Sequence, residues 1–210
     1  MRLISVVNYS TYCIHNYPMK LQSLTLIFLI WLPLVSCSLF DTRDPDEPGS
    51  TSGPRFIQTD RPENVVENLV NAVTHMNLDH YLRILCDQSF SYEPSSIAQA
   101  DRGPDFWHGW GLPQEEGYFR QLQGETEGRG DHRLQLHNES FIDLGDNEVR
   151  FEYDYTLTIN HGKELPEEAT GKLILDMVQD ELHGWVICTW SDRDGDSDFT
   201  WSDIRAEFLN

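Results

Sequence analysis

Basic residues are scarce in this chain. Its 210 residues include 15 Lys and Arg against 35 Asp and Glu, which gives a formal net charge of −20 at pH 7. Because affinity for nucleic acid depends on Lys and Arg that neutralise phosphates, this balance argues against a nucleic-acid partner. It argues equally against electrostatic docking on anionic lipid. With 39% hydrophobic and 11% aromatic residues, the chain still has enough apolar side chains to build one packed domain.

Motifs for redox, phosphate and metal chemistry are missing as well. The chain contains no Cys-x-x-Cys pair, no Gly-rich phosphate loop and no Gly-x-Ser-x-Gly sequence, which removes the usual basis for thiol redox catalysis, nucleotide binding and serine hydrolysis. His132 and His137 are five residues apart on a predicted strand and therefore face opposite sides, so they form no zinc pattern. We expect no cofactor.

Acidic residues are absent from positions 1–36. From Met19 the chain has the basic Lys20, an apolar run over 24–35 and then Leu34-Val35-Ser36-Cys37, which are the three zones of an export signal. The apolar run is short for a membrane-spanning helix. We assign 1–36 to a signal peptide and prefer Met19 as the initiator, because the polar stretch before it is an unusual signal start; the alternative is a long polar leader.

The four residues Leu34 to Cys37 resemble the lipobox of bacterial lipoproteins, in which small or aliphatic residues precede an obligatory cysteine. The resemblance implies that the signal is cut before Cys37, that its sulfur receives a diacylglycerol and that its new amino group is acylated. Two or three chains, at about 0.8 kcal/mol per buried methylene, anchor a protein stably. An uncharged residue such as Ser38 after the cysteine resembles outer-membrane sorting in Gram-negative cells. We expect a lipid-anchored outer-membrane protein that faces the periplasm.

Residues 37–61 comprise the lipidated cysteine and a predicted tether. Pro, Gly, Ser, Thr and Asp dominate the stretch after Cys37, and such a composition stays solvated because it has no core to bury. In the flexible regime its reach is roughly 25 to 30 Å. We place the folded domain at 62–210.

Hydrophobic periodicity predicts an α+β fold for the domain. The pattern predicts three helices, over 60–76, 78–86 and 114–122. It predicts strands at 90–93, 134–144, 151–157, 169–178 and 185–190. Asp60 and Glu63 have the spacing of a capping box at the start of the first helix, and a turn is expected at 94–96. Helices first and an antiparallel meander afterwards are typical of an α+β domain.

This order of elements resembles the nuclear transport factor 2-like, or SnoaL-like, superfamily, which has a cystatin-like fold. Three strings look like uncharacterised bacterial lipoproteins that carry such a domain: Pro62-Glu63-Asn64-Val65-Val66-Glu67-Asn68-Leu69, Asp79-His80-Tyr81-Leu82 and Trp201-Ser202-Asp203-Ile204-Arg205. The resemblance covers 60–210 and implies a curved antiparallel sheet wrapped against about three helices into a cone. Such a cone holds a small molecule in ketosteroid isomerase, scytalone dehydratase and limonene epoxide hydrolase, and serves elsewhere as a scaffold.

Acid-base catalysis in a cone requires a carboxylate or histidine inside an apolar pocket, where desolvation moves its pKa toward neutrality. The catalytic candidates by residue type are Asp87, His108 and Tyr118, and none of them lies in a motif that matches an enzyme. The candidate pocket residues are aromatic: Tyr81, Phe106, Trp107, Trp110 and Tyr118. The same rings also suit a filled core, which we favour over a ligand-binding mouth.

The cysteines and a run of aspartates leave two further questions open. Cys86 and Cys188 are the two thiols of the predicted domain; in an oxidising periplasm they form one disulfide or remain two buried cysteines.

The alternating acidic residues after the last predicted strand resemble a calcium loop: Asp192, Asp194, Asp196, Asp198 and Asp203. Because Ser197 stands where such a loop needs glycine, we prefer a solvated acidic loop without metal.

We therefore expect a lipid-anchored, non-catalytic envelope domain that binds a small molecule or an envelope protein. The alternative is an acid-base enzyme of the isomerase, dehydratase or hydrolase type that uses the cone as its pocket. The two differ in the interior of the cone: an enzyme needs an ionisable group that a substrate can reach, whereas a scaffold tolerates a filled interior.

Overall fold

The computed structural model of the chain describes residues 55–209. The predicted signal peptide, Cys37 and the tether residues 38–54 lie outside this range. Within 55–209 no helix is both long and apolar enough to cross a membrane.

Helices and strands follow each other in the order that the periodicity predicts, with additional short helices. The helices of the described residues are α1 (Pro62–Thr74), α2 (Leu78–Arg83), α3 (Ser96–Arg102), α4 (Pro104–Trp107), α5 (Leu112–Glu125) and α6 (Trp201–Phe208). The strands are β1 (Ser91–Glu93), β2 (Arg133–Gly145), β3 (Glu148–Thr158), β4 (Glu168–Asp180) and β5 (Gly184–Asp194). The predicted α+β class is confirmed.

The five strands form one sheet in the order β1-β5-β4-β3-β2. Strands β2 to β5 are antiparallel neighbours, and β1 pairs with β5 in parallel. Register shifts occur in the β2–β3 pair between His137 and Ser140 and in the β4–β5 pair beside Asp176. Such bulges bend and twist a strand, which accounts for a curved sheet.

One face of the sheet carries the core. Along β3 the side chains alternate between buried and half-buried, and the buried set is Val149, Phe151, Tyr153, Tyr155 and Leu157. The predicted half-buried strand is therefore confirmed. Helix α1 packs against β2 and β5, and α6 packs against α5 and β4, so the helices cover the apolar face.

The start of α1 differs from the prediction. The helix begins at Pro62 with Arg61 as its N-cap and without a side-chain cap. Instead of closing a capping box with Glu63, Asp60 accepts a hydrogen bond from Asn64 Nδ2 at 2.7 Å. Proline at the first helical position needs no partner for an amide hydrogen, so the helix starts there without the box.

The folded domain begins before the predicted boundary at residue 62. Asn68 of α1 exchanges two hydrogen bonds with the backbone of Ile57, at 2.9 and 2.7 Å. Thr59 is 2% exposed, its carbonyl accepts from Trp185 N at 2.7 Å, and its hydroxyl donates to His183 O at 2.6 Å. Residues 56–59, which composition assigned to the tether, therefore belong to the domain.

Two helices, α3 and α6, were not predicted from the sequence. The expected turn at 94–96 leads into α3, with the Ser95 hydroxyl accepting from Ala98 N at 3.3 Å. After β5 the chain enters α6, which the periodicity did not predict; Thr200 and Asp203 form its capping box. At α3 the Ser95 hydroxyl caps the helix start, whereas at α6 the Thr200 amide and hydroxyl both donate to the Asp203 carboxylate.

Candidate functional site

The interior between the sheet and the helices is organised around an ion pair. Glu115, in the first turn of α5, and Arg205, in the last turn of α6, are both fully buried. Arg205 Nε lies 2.9 and 3.2 Å from the two carboxylate oxygens of Glu115, and its Nη2 lies 2.8 Å from Oε1. Two charges of opposite sign are therefore neutralised against each other away from water.

Neighbouring rings saturate the carboxylate of this pair. Trp110 Nε1 donates to Glu115 Oε2 at 2.7 Å, and the Tyr81 hydroxyl donates to Oε1 at 2.5 Å. Arg205 Nη2 also donates to the Tyr81 oxygen at 3.2 Å. A buried charge is tolerated when its lone pairs are occupied in this way.

Aromatic faces enclose the guanidinium. Arg205 Cζ lies 4.1 Å from the ring centroid of Tyr92, 4.3 Å from that of Trp190 and 5.0 Å from that of Trp201. Cation–π contact favours this arrangement, more strongly in a desolvated site. The side chain of Arg205 thus fills space between the aromatic rings of the core.

A second buried carboxylate, Asp192 of β5, lies at the start of α6. Ser202 donates to Asp192 Oδ2 from its amide at 2.8 Å and from its hydroxyl at 2.6 Å. The Tyr155 hydroxyl donates to Oδ1 at 2.9 Å. Burial raises the pKa of Asp192, while the hydrogen bonds from Ser202 and the charge of Arg205 act against that rise. The carboxylate accordingly ties β5 to the N-terminus of α6.

Tyrosines link the two buried carboxylates. The Tyr92 hydroxyl oxygen lies 2.6 Å from Ser202 Oγ and 3.5 Å from Arg205 Nη1. Burial raises the pKa of Tyr81, Tyr92 and Tyr155 well above the ordinary value. Their hydroxyls therefore remain protonated at neutral pH and hold the network as donors.

The three catalytic candidates from the sequence differ in their solvent exposure. Asp87 and His108 are exposed, whereas Tyr118 is fully buried. The Tyr118 oxygen accepts a hydrogen bond from Trp201 Nε1 at 2.8 Å, and burial raises its pKa. These three residues do not form one acid-base constellation.

The predicted pocket aromatics pack together in the core. Trp107 and Trp110 have ring centroids 4.9 Å apart, as do Phe106 and Trp107. Tyr81 stacks on Phe119 at 4.0 Å. The structure has surface clefts of about 520, 870 and 580 Å³, and none of these three is lined by a residue of the predicted pocket.

The aspartates of the proposed calcium loop point to different partners. Asp194 accepts from the Ser96 hydroxyl and from Ile97 N at 3.2 Å, and Asp203 accepts from Thr200 N at 2.7 Å. Asp196 and Asp198 are exposed. Between residues 55 and 209 no group of three His, Cys, Asp or Glu side chains is arranged to hold a metal ion. The preferred solvated loop also needs correction, because Asp192 lies in β5 and is fully buried.

Cys86 and Cys188 form a disulfide, with Cα atoms 4.9 Å apart and a sequence separation of 102. Backbone hydrogen bonds accompany it, since Cys86 N donates to Ile187 O and Ile187 N donates to Ile84 O, both at 2.8 Å. The bridge therefore fastens the end of α2 to β5. Of the two alternatives that the sequence left open, the structure contains the disulfide.

The residues at the centre of the network did not emerge from the sequence. Glu115 shares a helical stripe with Tyr118, Phe119 and Leu122, and Arg205 shares one with Trp201, Ile204 and Phe208. A charged residue inside an apolar stripe at spacings of three and four is a signal for a buried charge. Two such residues of opposite sign would have indicated the pair.

Comparison with known proteins adds evidence on the fold. No protein-family model and no curated protein matches the sequence. Among solved structures, the "Putative Scytalone Dehydratase" from Novosphingobium aromaticivorans aligns with a TM-score of 0.52 over 66% of this chain and 85% of that chain, at 13% identity. The fold is nuclear transport factor 2-like. At this identity the likeness concerns the fold alone.

Two further aligned structures have lower TM-scores. An NTF2-like protein of unknown function from Pseudomonas putida aligns with a TM-score of 0.48 over 64% of this chain and 84% of that chain, at 8% identity. An NTF-2 like protein of unknown function from Shewanella oneidensis aligns with a TM-score of 0.45 over 66% of this chain and all of that chain, at 15% identity.

Proposed function

We propose that this protein is a lipid-anchored component of the bacterial cell envelope and that its nuclear transport factor 2-like domain binds a small molecule or an envelope protein without catalysing a reaction. The anchor is supported by the lipobox at Leu34 to Cys37, which ends an apolar segment. The proposed location is the periplasmic face of the outer membrane, for which the uncharged Ser38 is the supporting residue.

The buried Arg205–Glu115 pair carries the binding part of the proposal. Arg205 lies among the rings of Tyr92, Trp190 and Trp201, so the chain's own side chains fill the interior between the sheet and the helices. Both charged groups of the pair have their partners inside the protein. Binding is thereby directed to the outer surface of the domain.

Acid-base catalysis would require a carboxylate that can reach a proton of the substrate. A general acid or base must lie within about 2.6–3.2 Å of the proton that it transfers, directly or through one water. Asp192 is held by Tyr155 and Ser202, and Glu115 is held by Arg205. Neither carboxylate is free to serve a substrate without breaking the network, which favours binding over acid-base catalysis.

The anchor is tested by metabolic labelling with radioactive palmitate. We expect the full chain to be labelled and to sediment with membranes, and we expect Cys37→Ser to abolish the label. Ser38→Ala is the matched control, because it changes the neighbouring residue and leaves Leu34 to Cys37 intact. Label that persists in Cys37→Ser, or that disappears in Ser38→Ala, contradicts the proposed anchor.

A further inference from the structure

The largest of the three clefts, about 870 Å³ in volume, lies between α2, the segment after it and the β4–β5 hairpin. We refer to it as the hairpin cleft. Its apolar lining consists of the Cys86–Cys188 disulfide and the side chains of Phe56, Leu82, Leu85, Leu112, Val178, Leu182 and Val186. A volume of this size and a mainly apolar wall are typical of sites for small organic ligands.

Charged residues of one sign dominate the polar part of this lining. The carboxylates are Asp79, Asp87, Asp180 and Glu181, and Arg83 is the one Lys or Arg among the lining residues. The guanidinium of Arg83 is engaged by Phe56, whose ring centroid lies 3.9 Å from Arg83 Cζ. Because four carboxylates face one guanidinium, which keeps its charge beside Phe56, the cleft has a net negative charge.

The carboxylates of the lining differ in their hydrogen-bond partners. Asp180 accepts from the amides of Leu182 and His183, each at 2.8 Å, and these hydrogen bonds lower its pKa. Asp87 and Glu181 are exposed, and among residues 55–209 neither has a hydrogen-bond or ion-pair partner. An incoming ammonium group would meet acceptors that no described residue occupies.

We infer that the hairpin cleft binds small amphiphilic cations, that is, molecules with one aromatic or hydrocarbon group and one protonated amine. The apolar group lies against Leu82 and Leu112, which are partly exposed, and the ammonium group lies toward Asp87 and Glu181. The inference rests on the proposed binding function and names the ligand class of that function.

Charge complementarity disfavours the chain itself as the occupant. The sequence just before the domain carries Asp41, Asp44, Asp46 and Glu47 against Arg43. A second copy likewise brings a net charge of −20. Like charges at short range oppose association, whereas a cation gains from each acidic residue of the cleft.

The test uses the full chain and three probes of similar shape and different charge: 2-phenylethylammonium, 2-phenylethanol and 3-phenylpropanoate. Saturation-transfer NMR with titration gives a dissociation constant for each probe. We expect the cation to bind about fivefold tighter than the neutral alcohol and the anion to bind more weakly than both. Raising the salt concentration should weaken binding of the cation only.

The variant Asp87→Asn/Glu181→Gln should weaken binding of 2-phenylethylammonium about fivefold, the range for loss of two exposed ion pairs, and leave 2-phenylethanol unchanged. Asp101→Asn/Asp105→Asn is the matched control, because it removes two exposed carboxylates that do not line the cleft. The control should bind the cation as the unaltered chain does.

Equal binding of the anion and the cation overturns the inference, and so does a double variant that behaves like its control. Binding that appears only after deletion of 38–54 identifies the chain's own segment as the occupant and also overturns it. Palmitate labelling of Cys37 is independent of these outcomes. A labelled protein without cation binding leaves the anchored domain standing and removes only this ligand class.

Discussion

Arg205 Nη2 lies 2.8 Å from Glu115 Oε1, and neither side chain has exposed surface. The two residues are 90 positions apart in sequence and belong to α5, which ends at Glu125, and α6, which begins at Trp201. The pair therefore joins the closing helix α6 to α5 and fixes which face of each helix is directed inward. Because the surrounding donors are also buried, the pair contributes to the stability of the whole core.

Replacing Arg205 by methionine should reduce the free energy of unfolding by about 3–5 kcal/mol, because it leaves Glu115 charged and unpaired in the core. The double variant Glu115→Gln/Arg205→Met should lose less than the sum of the single variants, since the second change removes the unpaired charge. Urea denaturation followed by tryptophan fluorescence measures all three.

Arg120→Met provides the control for this prediction. Arg120 is paired with Glu116, but both side chains are well exposed, at 62% and 42%. Loss of such a pair costs no more than about 1 kcal/mol. Similar losses for Arg205→Met and Arg120→Met would show that the buried pair adds nothing to stability.

The sheet could be predicted from the sequence because its periodicity is local. Phe151, Tyr153 and Tyr155 alternate with polar residues, and this alternation alone indicates a strand with one buried face. The helix α6 is short, and its stripe contains Arg205, so the pattern was weaker there. The stripe signals that Arg205 is buried, but which carboxylate pairs with it, 90 positions away, depends on tertiary structure.

The burial of Asp192 is a second feature that local sequence patterns could not predict. Four aspartates in alternation look like a solvated loop or a metal site, yet Asp192 and Asp194 lie within β5 and face different environments. The donors that make burial of Asp192 tolerable, Tyr155 and Ser202, come from other elements. Composition identified the acidic run but not the partners.

The Cys86–Cys188 disulfide should contribute several kcal/mol to stability. In the chain-entropy model, closing a loop of 102 residues is worth about 4–5 kcal/mol. Cys86→Ala, Cys188→Ala and the double variant should lower the denaturation midpoint by similar amounts, since each removes the same bridge. Alkylation before and after reduction, read by peptide mass, checks the pairing. Free thiols at these two positions in unreduced periplasmic protein would contradict it.

The pH dependence of two aspartate variants should have opposite signs. Burial raises the pKa of Asp192, so the folded state holds its proton more tightly and this residue's contribution to stability falls as the pH rises from about 4 through the raised pKa. At Asp194, burial acts to raise the pKa, but hydrogen bonds from Ser96 and Ile97 outweigh it and the pKa is lowered. Its contribution is therefore present above its unfolded pKa and is lost as the pH falls through the lowered value.

Asp192→Asn should consequently be less destabilising at pH 7 than at pH 4, and Asp194→Asn more destabilising at pH 7 than at pH 4. Urea denaturation of the two variants and the unaltered protein at both pH values gives the differences, in which the titration of all other carboxylates cancels. The same sign for both variants would refute the assigned environments.

Gly184 and Gly145 offer a paired test of the contact that places residues 56–59 in the domain. Both glycines lie at hairpin turns, with φ of +78° and +80°. A Cβ at Gly184 would overlap the carbonyl of Thr59, whereas a Cβ at Gly145 would meet nothing within 4 Å. Gly145→Ala should cost about 1–2 kcal/mol for the left-handed backbone alone, and Gly184→Ala should cost more because it also displaces Thr59. Thermal and urea denaturation of both variants measures the difference. If the two losses are equal, the Thr59 segment does not pack against the hairpin as the hydrogen bonds at His183 and Trp185 require.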